Sequence, residues 1–148
     1  MKKILLRGMC AVLGVAVMSS GKVSAQTSES PLAHSRAFAV EQMPVRKMGN
    51  GGESRDIVHG VLTTGESVAL HESEQPAGMT PNPAHRIEHT EFIVIVEGTM
   101  EYLHDGKAER VGPGGVLYIA PGTEHQVKNV GSGPAKYVVV AVGKDVKK

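Results

Sequence analysis

Seven histidines are spread along the chain, and two of them stand with carboxylates in one short stretch, His85-Arg86-Ile87-Glu88-His89-Thr90-Glu91. In an extended backbone, residues two apart point the same way. His85, Ile87, His89 and Glu91 therefore share one face of this segment. Imidazole nitrogen and carboxylate oxygen on a common face are the donors that a borderline divalent metal takes. His125 lies far along the chain and joins such a set only across a closed sheet. Glu91 also suits the role of proton acceptor. His59 and His71 lie on upstream strands and could face the same site, with surface or core placement the first reading for each; His104 reads as a solvated hairpin residue and Arg86 as a solvated strand-end cation.

Competing chemistries lack their residues. No G-x-S-x-G elbow, C-x-x-C pair, H-E-x-x-H helix or calcium loop is present. Gly49-Asn50-Gly51-Gly52 and Gly112-Pro113-Gly114-Gly115 have no strand-to-helix setting, so neither reads as a phosphate loop.

The elements around the histidines read as strands. Phe92 to Val96 is a continuous β-branched and aromatic run, which predicts a strand buried on both faces or nearly so. Asp105-Gly106, between Met100–His104 and Lys107–Val111, is a two-residue hairpin signal. Val116–Ala120, His125–Val130 and Lys136–Val142 follow, each set off by glycine or proline. Upstream, Asp56–Thr64 and Ser67–Glu74 flank a turn at Gly65-Glu66, and Phe38–Val40 and Met43–Lys47 read as edge strands. Short strands at this spacing, with no ten-residue helical period outside the extreme N-terminus, predict an all-β sandwich or small barrel.

The residues also resemble a known family. Gly114, five residues on Ala120-Pro121-Gly122, then His125 and Asn129 match the second cupin motif, G-x5-P-x-G-x2-H-x3-N, with Ala120 replacing its first proline. Upstream, His85, Glu91 and Gly98 match the first motif, which spans about 78–98, while Ile87 stands where that motif has its second histidine. The second motif runs over 114–129. The resemblance implies a double-stranded β-helix (jelly-roll-like) barrel with a ligand cavity in its mouth. It implies metal ligands at His85, Glu91 and His125, with His89 as candidate replacement for the ligand lost at Ile87. The metal expected is a divalent ion, iron or manganese first, zinc or nickel next. Glu91 is the candidate catalytic residue; Ile87, Ile93 and Tyr118 are the candidate substrate contacts. The function implied is a metal-dependent enzyme on a small organic molecule, with dioxygenases the nearest class and isomerases or lyases on the same fold. The alternative is a non-catalytic small-molecule binder that has lost its metal. A homodimer is the expected assembly.

Composition narrows the partners. Lys2, Lys3 and Arg7, an apolar run from Gly8 to Met18 and small residues at Val23-Ser24-Ala25 have the layout of a secretory signal over 1–25. That run falls short of the ~20 residues a membrane span needs, so no stable membrane insertion is expected once it is removed. Residues 26–37 read as a flexible leader and 38–148 as the barrel domain. Of 16 basic and 15 acidic groups, four basic ones (Lys2, Lys3, Arg7, Lys22) fall within 1–25. The remainder is mildly acidic and poor in aromatics, which excludes nucleic acid as a partner. The single cysteine, Cys10, lies within 1–25. A periplasmic or secreted protein without disulfides is expected, held by its apolar core or by a partner subunit.

Overall fold

The computed structural model describes residues 30–143 and Val146; the signal expected over 1–25 lies outside the described residues. The elements are a 3-10 turn at Val40–Gln42, then β1 (Arg46–Lys47), β2 (Glu53–Val61), β3 (Ser67–Gln75), β4 (Thr90–Glu97), β5 (Met100–His104), β6 (Lys107–Val111), β7 (Val116–Ile119), β8 (His125–Asn129) and β9 (Ala135–Val142). They form a six-stranded sheet in the order β1-β2-β3-β9-β4-β7 and a three-stranded sheet in the order β6-β5-β8. The described pairings are antiparallel. The crossovers that place β9 between β3 and β4 make a double-stranded β-helix. The all-β expectation holds, and no helix among the described residues is long and apolar enough to cross a membrane.

Alternation builds the interior. Ile93 and Ile95 of β4, Leu117 and Ile119 of β7, and Tyr137 and Val139 of β9 face Met100 and Tyr102 of β5 in one buried cluster. Two expectations are corrected here. The run Phe92–Val96 is buried on one face only, with Phe92, Val94 and Val96 on the outside of the sheet. Of the two N-terminal edge strands, only Arg46–Lys47 forms, and Val40–Gln42 is a 3-10 turn. Residues 30–37, read as leader, have no regular structure but lie against β2, where Ser30 and Leu32 approach Gly60.

Turn chemistry sets the corners. Asp105 (φ 47°) and Gly106 (φ 74°) make the expected β5–β6 hairpin, both at positive φ. Ala120 to Thr123 closes with Thr123 N–H donating to the Ala120 carbonyl at 3.2 Å and Gly122 at φ 79°. Proline followed by a left-handed glycine is what a type II turn requires, and this turn delivers His125 to the barrel mouth. Gly98, also at φ 79°, sits against β9: a Cβ there would lie 2.6 Å from the Pro134 carbonyl oxygen and 2.7 Å from Ala135 Cα.

Candidate functional site

The two motif segments are tied together through their backbones. His85 and His125 exchange both main-chain hydrogen bonds, at 3.0 and 2.9 Å, in an isolated antiparallel bridge. Gly122 N–H donates to the Ile87 carbonyl at 2.7 Å. Arg86 reaches the same loop, donating to the Gly122 carbonyl at 2.6 Å and pairing with Glu124 at 2.7 Å. Arg86 is thus committed to holding the two segments together.

The bridge brings the imidazoles of His85 and His125 to a centroid distance of 4.5 Å, tilted by 50°. His85 is exposed at the rim and His125 is buried, with 3 % of its surface accessible. In each ring Nδ1 lies 3.1 Å from a carbonyl oxygen two residues upstream, Pro83 for His85 and Thr123 for His125. A carbonyl only accepts, so Nδ1 carries a proton, and in the neutral form of each ring Nε2 holds the lone pair. This is the tautomer in which imidazole binds a metal, fixed as outer hydrogen bonds usually fix it.

Both histidines line a cavity of about 270 Å³, together with Glu91, Ile93, His71 and a polar wall from β1, β2, β3 and β9. Glu91 faces inward because it shares the phase of buried Ile93 and Ile95, between Ala141 of β9 and Ile119 of β7. Its Oε1 lies 2.9 Å from His89 Nε2, and both side chains are largely buried. His89 stands at a second depression, across Glu91 from the first, beside Ile87, Ala69 and Val146. The chemistry of the donors fits a divalent ion: two metal-ready imidazoles and a carboxylate on one cavity. Their spacing is less complete, since no group of three or more His, Cys, Asp or Glu is gathered to hold a metal among the described residues.

Of the substrate contacts expected from sequence, Ile93 lines the cavity, while Ile87 packs against the core cluster and borders the second depression. Tyr118 is corrected. Buried Leu117 and Ile119 fix the parity of β7, so Tyr118 points outward, 56 % exposed, with its ring 5.4 Å from that of Phe92.

Several cavity residues escaped the sequence reading. Ser54, Ser73, Gln75 and Tyr137 are buried in its wall, Arg46 stands at its mouth, and His71 lines it, while His59 is exposed. In β3 the inward phase is Ala69, His71, Ser73 and Gln75 and the outward phase Val68, Leu70, Glu72 and Glu74, so alternation alone did not tell the two faces apart. Burial lowers the His71 pKa below its ordinary value, against the opposing charges of Glu91 and Asp56, so this imidazole is neutral at physiological pH. Burial raises the Tyr137 pKa, against hydrogen bonds from Gln75 and Ser73.

Residues 70–141 match the model of the cupin domain family. Among solved structures, KdgF from a Halomonas species superposes with a TM-score of 0.63 at 15 % identity, covering 72 % of this chain and 94 % of that one. A predicted oxalate decarboxylase from Thermotoga maritima gives 0.61 at 17 % identity, covering 74 % and 100 %. The polyketide cyclase RemF from Streptomyces resistomycificus gives 0.59 at 23 %, covering 75 % and 81 %. At these identities the likeness establishes the fold. No curated protein sequence matches the chain.

Proposed function

The chain belongs to the cupin family, and from that premise we propose that it is an exported small-molecule-handling barrel with a divalent metal held by His85 and His125. Glu91 is the third donor on this reading, oriented by His89, and Ile93 forms the apolar wall beside the ligand. The observation that carries the reading is the paired Nδ1 tether of His85 and His125, each to a carbonyl at 3.1 Å. Two imidazoles locked in the same metal-binding tautomer, 4.5 Å apart at a cavity mouth, serve no purpose in core packing. His85, His125 and Glu91 would hold the metal, iron or manganese before zinc or nickel, and it would supply Lewis acidity to a bound substrate. The protein's own groups bind and orient the substrate, and Glu91 takes or returns a proton. Oxidative chemistry on a small organic molecule is the nearest reaction class. The layout of residues 1–25 supports export to the periplasm or beyond.

A second reading is favoured by one specific observation: Ile87, at the position of a lost ligand, packs into the core instead of presenting a donor. On that reading the barrel captures a small molecule without a metal. Metal content of the untagged purified protein, measured by plasma mass spectrometry, decides between the two. Near-stoichiometric metal that disappears in His125→Ala and in the rim variant His85→Ala supports the metal centre. A protein that stays empty after anaerobic reconstitution with iron, manganese and zinc refutes it.

The proposed partner is a second copy of the chain. Phe92, Val94 and Val96 of β4 and Val116 and Tyr118 of β7 are exposed side by side on the outer sheet face. Val138, Val140 and Val142 of β9 extend this face. With aromatic side chains of about 200 Å² each, it leaves roughly 400–500 Å² of apolar surface bare, at the upper end for a monomer. Two such faces bury roughly 1,000 Å², the scale at which specific interfaces begin. An apolar patch is its own complement under a two-fold axis.

A further inference from the structure

The cavity has two chemically opposite walls. On one, Arg46, Ser54, Ser73 and Tyr137 stand in register across β1, β2, β3 and β9. Hydrogen-bond direction along this row is fixed by its buried end. Gln75 Oε1 accepts from the Asn129 N–H at 3.0 Å, and Gln75 Nε2 donates to the Tyr137 hydroxyl at 3.0 Å. The Tyr137 oxygen is therefore an acceptor, and Ser73, beside it in register, lines the cavity with its hydroxyl. At the other end, Arg46 Nη2 donates to Ser54 Oγ at 3.4 Å, which leaves the Ser54 proton free to point into the cavity. Among the described residues Arg46 is otherwise paired with Asp56, at 3.6 Å between two exposed side chains, and such a pair holds its partners weakly. One wall thus offers a guanidinium and two serine hydroxyls, groups able to donate.

The other wall offers acceptors: Nε2 of His85 and of His125, and the Glu91 carboxylate. Ile93, Val127 and Val139 lie between the two walls. We propose that the ligand of this cavity is a small hydroxycarboxylate, with its carboxylate on Arg46, Ser54 and Ser73 and its hydroxyl toward His85, His125 and Glu91. A volume of about 270 Å³, just under the usual range for small-molecule sites, keeps the ligand small. Arg46, a single planar fork, suits a carboxylate better than a phosphate, which collects several cations. The inference deepens the small-molecule reading of this cavity and does not depend on its metal.

The test uses chelator-treated protein, so that metal and anion are read separately. Glycolate, its neutral isostere glycolamide and inorganic phosphate are titrated while backbone amide NMR shifts are followed. Glycolate is expected to saturate shifts at Ser54 and Ser73, glycolamide not to, and phosphate to bind more weakly. Arg46→Gln is expected to raise the glycolate Kd about ten-fold or more, as loss of a charge-assisted hydrogen bond does. Ser73→Ala gives a second, smaller loss should Arg46→Gln prove unstable, and Lys107→Gln on the exposed β5–β6 hairpin leaves the Kd unchanged. Equal response to glycolate and glycolamide, tighter binding of phosphate, or an Arg46→Gln Kd within about two-fold of wild type overturns the proposal. Glycolate binding that survives in a protein found to take no metal leaves the proposal standing and removes only the metal centre.

Discussion

Replacing Gly98 by alanine separates two costs that a motif glycine combines, because Gly114 supplies an internal control. Both residues have left-handed φ angles, 79° and 81°. Around Gly114 nothing lies within 4 Å of an added Cβ, whereas at Gly98 the new carbon meets the Pro134 carbonyl oxygen at 2.6 Å and Ala135 Cα and Cβ at 2.7 Å. Two of these three neighbours are backbone atoms of the β9 approach and have no rotamer to yield. Gly114→Ala therefore costs only the left-handed strain, roughly 1–2 kcal/mol. Gly98→Ala adds overpacking of about 1–3 kcal/mol, for a sum of roughly 2–5 kcal/mol against a typical domain stability of about 5–15 kcal/mol. With a urea slope of about 1–3 kcal/mol per molar, the Gly98→Ala midpoint should fall clearly below that of Gly114→Ala, by about 1 M at the centre of these ranges. Urea titration followed by far-UV circular dichroism reads the difference directly. Coincident midpoints for the two variants would refute the reasoning, since strain alone would then account for both and the approach of β9 to Gly98 would carry no weight.

Three further outcomes follow from the geometry. His89→Ala removes the 2.9 Å contact that orients Glu91 and should weaken manganese or zinc binding about 10–100-fold by calorimetric titration; His59→Ala, on the exposed face of β2, should not, and equal effects would sever His89 from the site. Burial holds the folded His71 pKa below its ordinary 6.5, so the unfolded chain binds the proton more readily and stability contributed by the neutral ring is lost as pH falls below that value. In metal-free protein, denaturation curves at descending pH should show His71→Gln losing less stability on acidification than wild type, and parallel losses would contradict the assignment. Phe92→Lys places a charge at the centre of the outer face and should shift the protein from dimer to monomer in sedimentation velocity without altering glycolate binding. A wild type that sediments as a monomer at high concentration removes the second-copy proposal.

What was legible in the sequence is what local chemistry dictates. Asp105-Gly106 and Pro121-Gly122 impose their turns because only certain residues tolerate positive φ, and the turn at Pro121-Gly122 alone carries His125 to the cavity. The pairing of His85 with His125 was legible only through family resemblance, because an isolated bridge from a loop residue to the start of β8 leaves no periodic trace. Tyr118 was misplaced for a related reason: a strand's period gives two faces but not which one is inside, and that choice was settled by pairing Glu91 with Ile119 across β4 and β7. β3 has no apolar phase to read, since Val68 and Leu70 share the outer face with Glu72 and Glu74 while His71 and Ser73 face in. The error at Phe92–Val96 is of another kind. An uninterrupted apolar run predicts burial on both faces, and within one chain the structure supplies only one. Composition, however, answers to the assembled state, in which every surface that loses water counts. No charged residue interrupts the outer residues Phe92, Val94 and Val96, and a contiguous exposed apolar patch of this size marks an interaction surface. If a second copy covers that face, the two-sided reading of this strand was correct for the dimer and wrong only for the single subunit, which makes sedimentation of the Phe92→Lys variant a test of the sequence inference as much as of the interface.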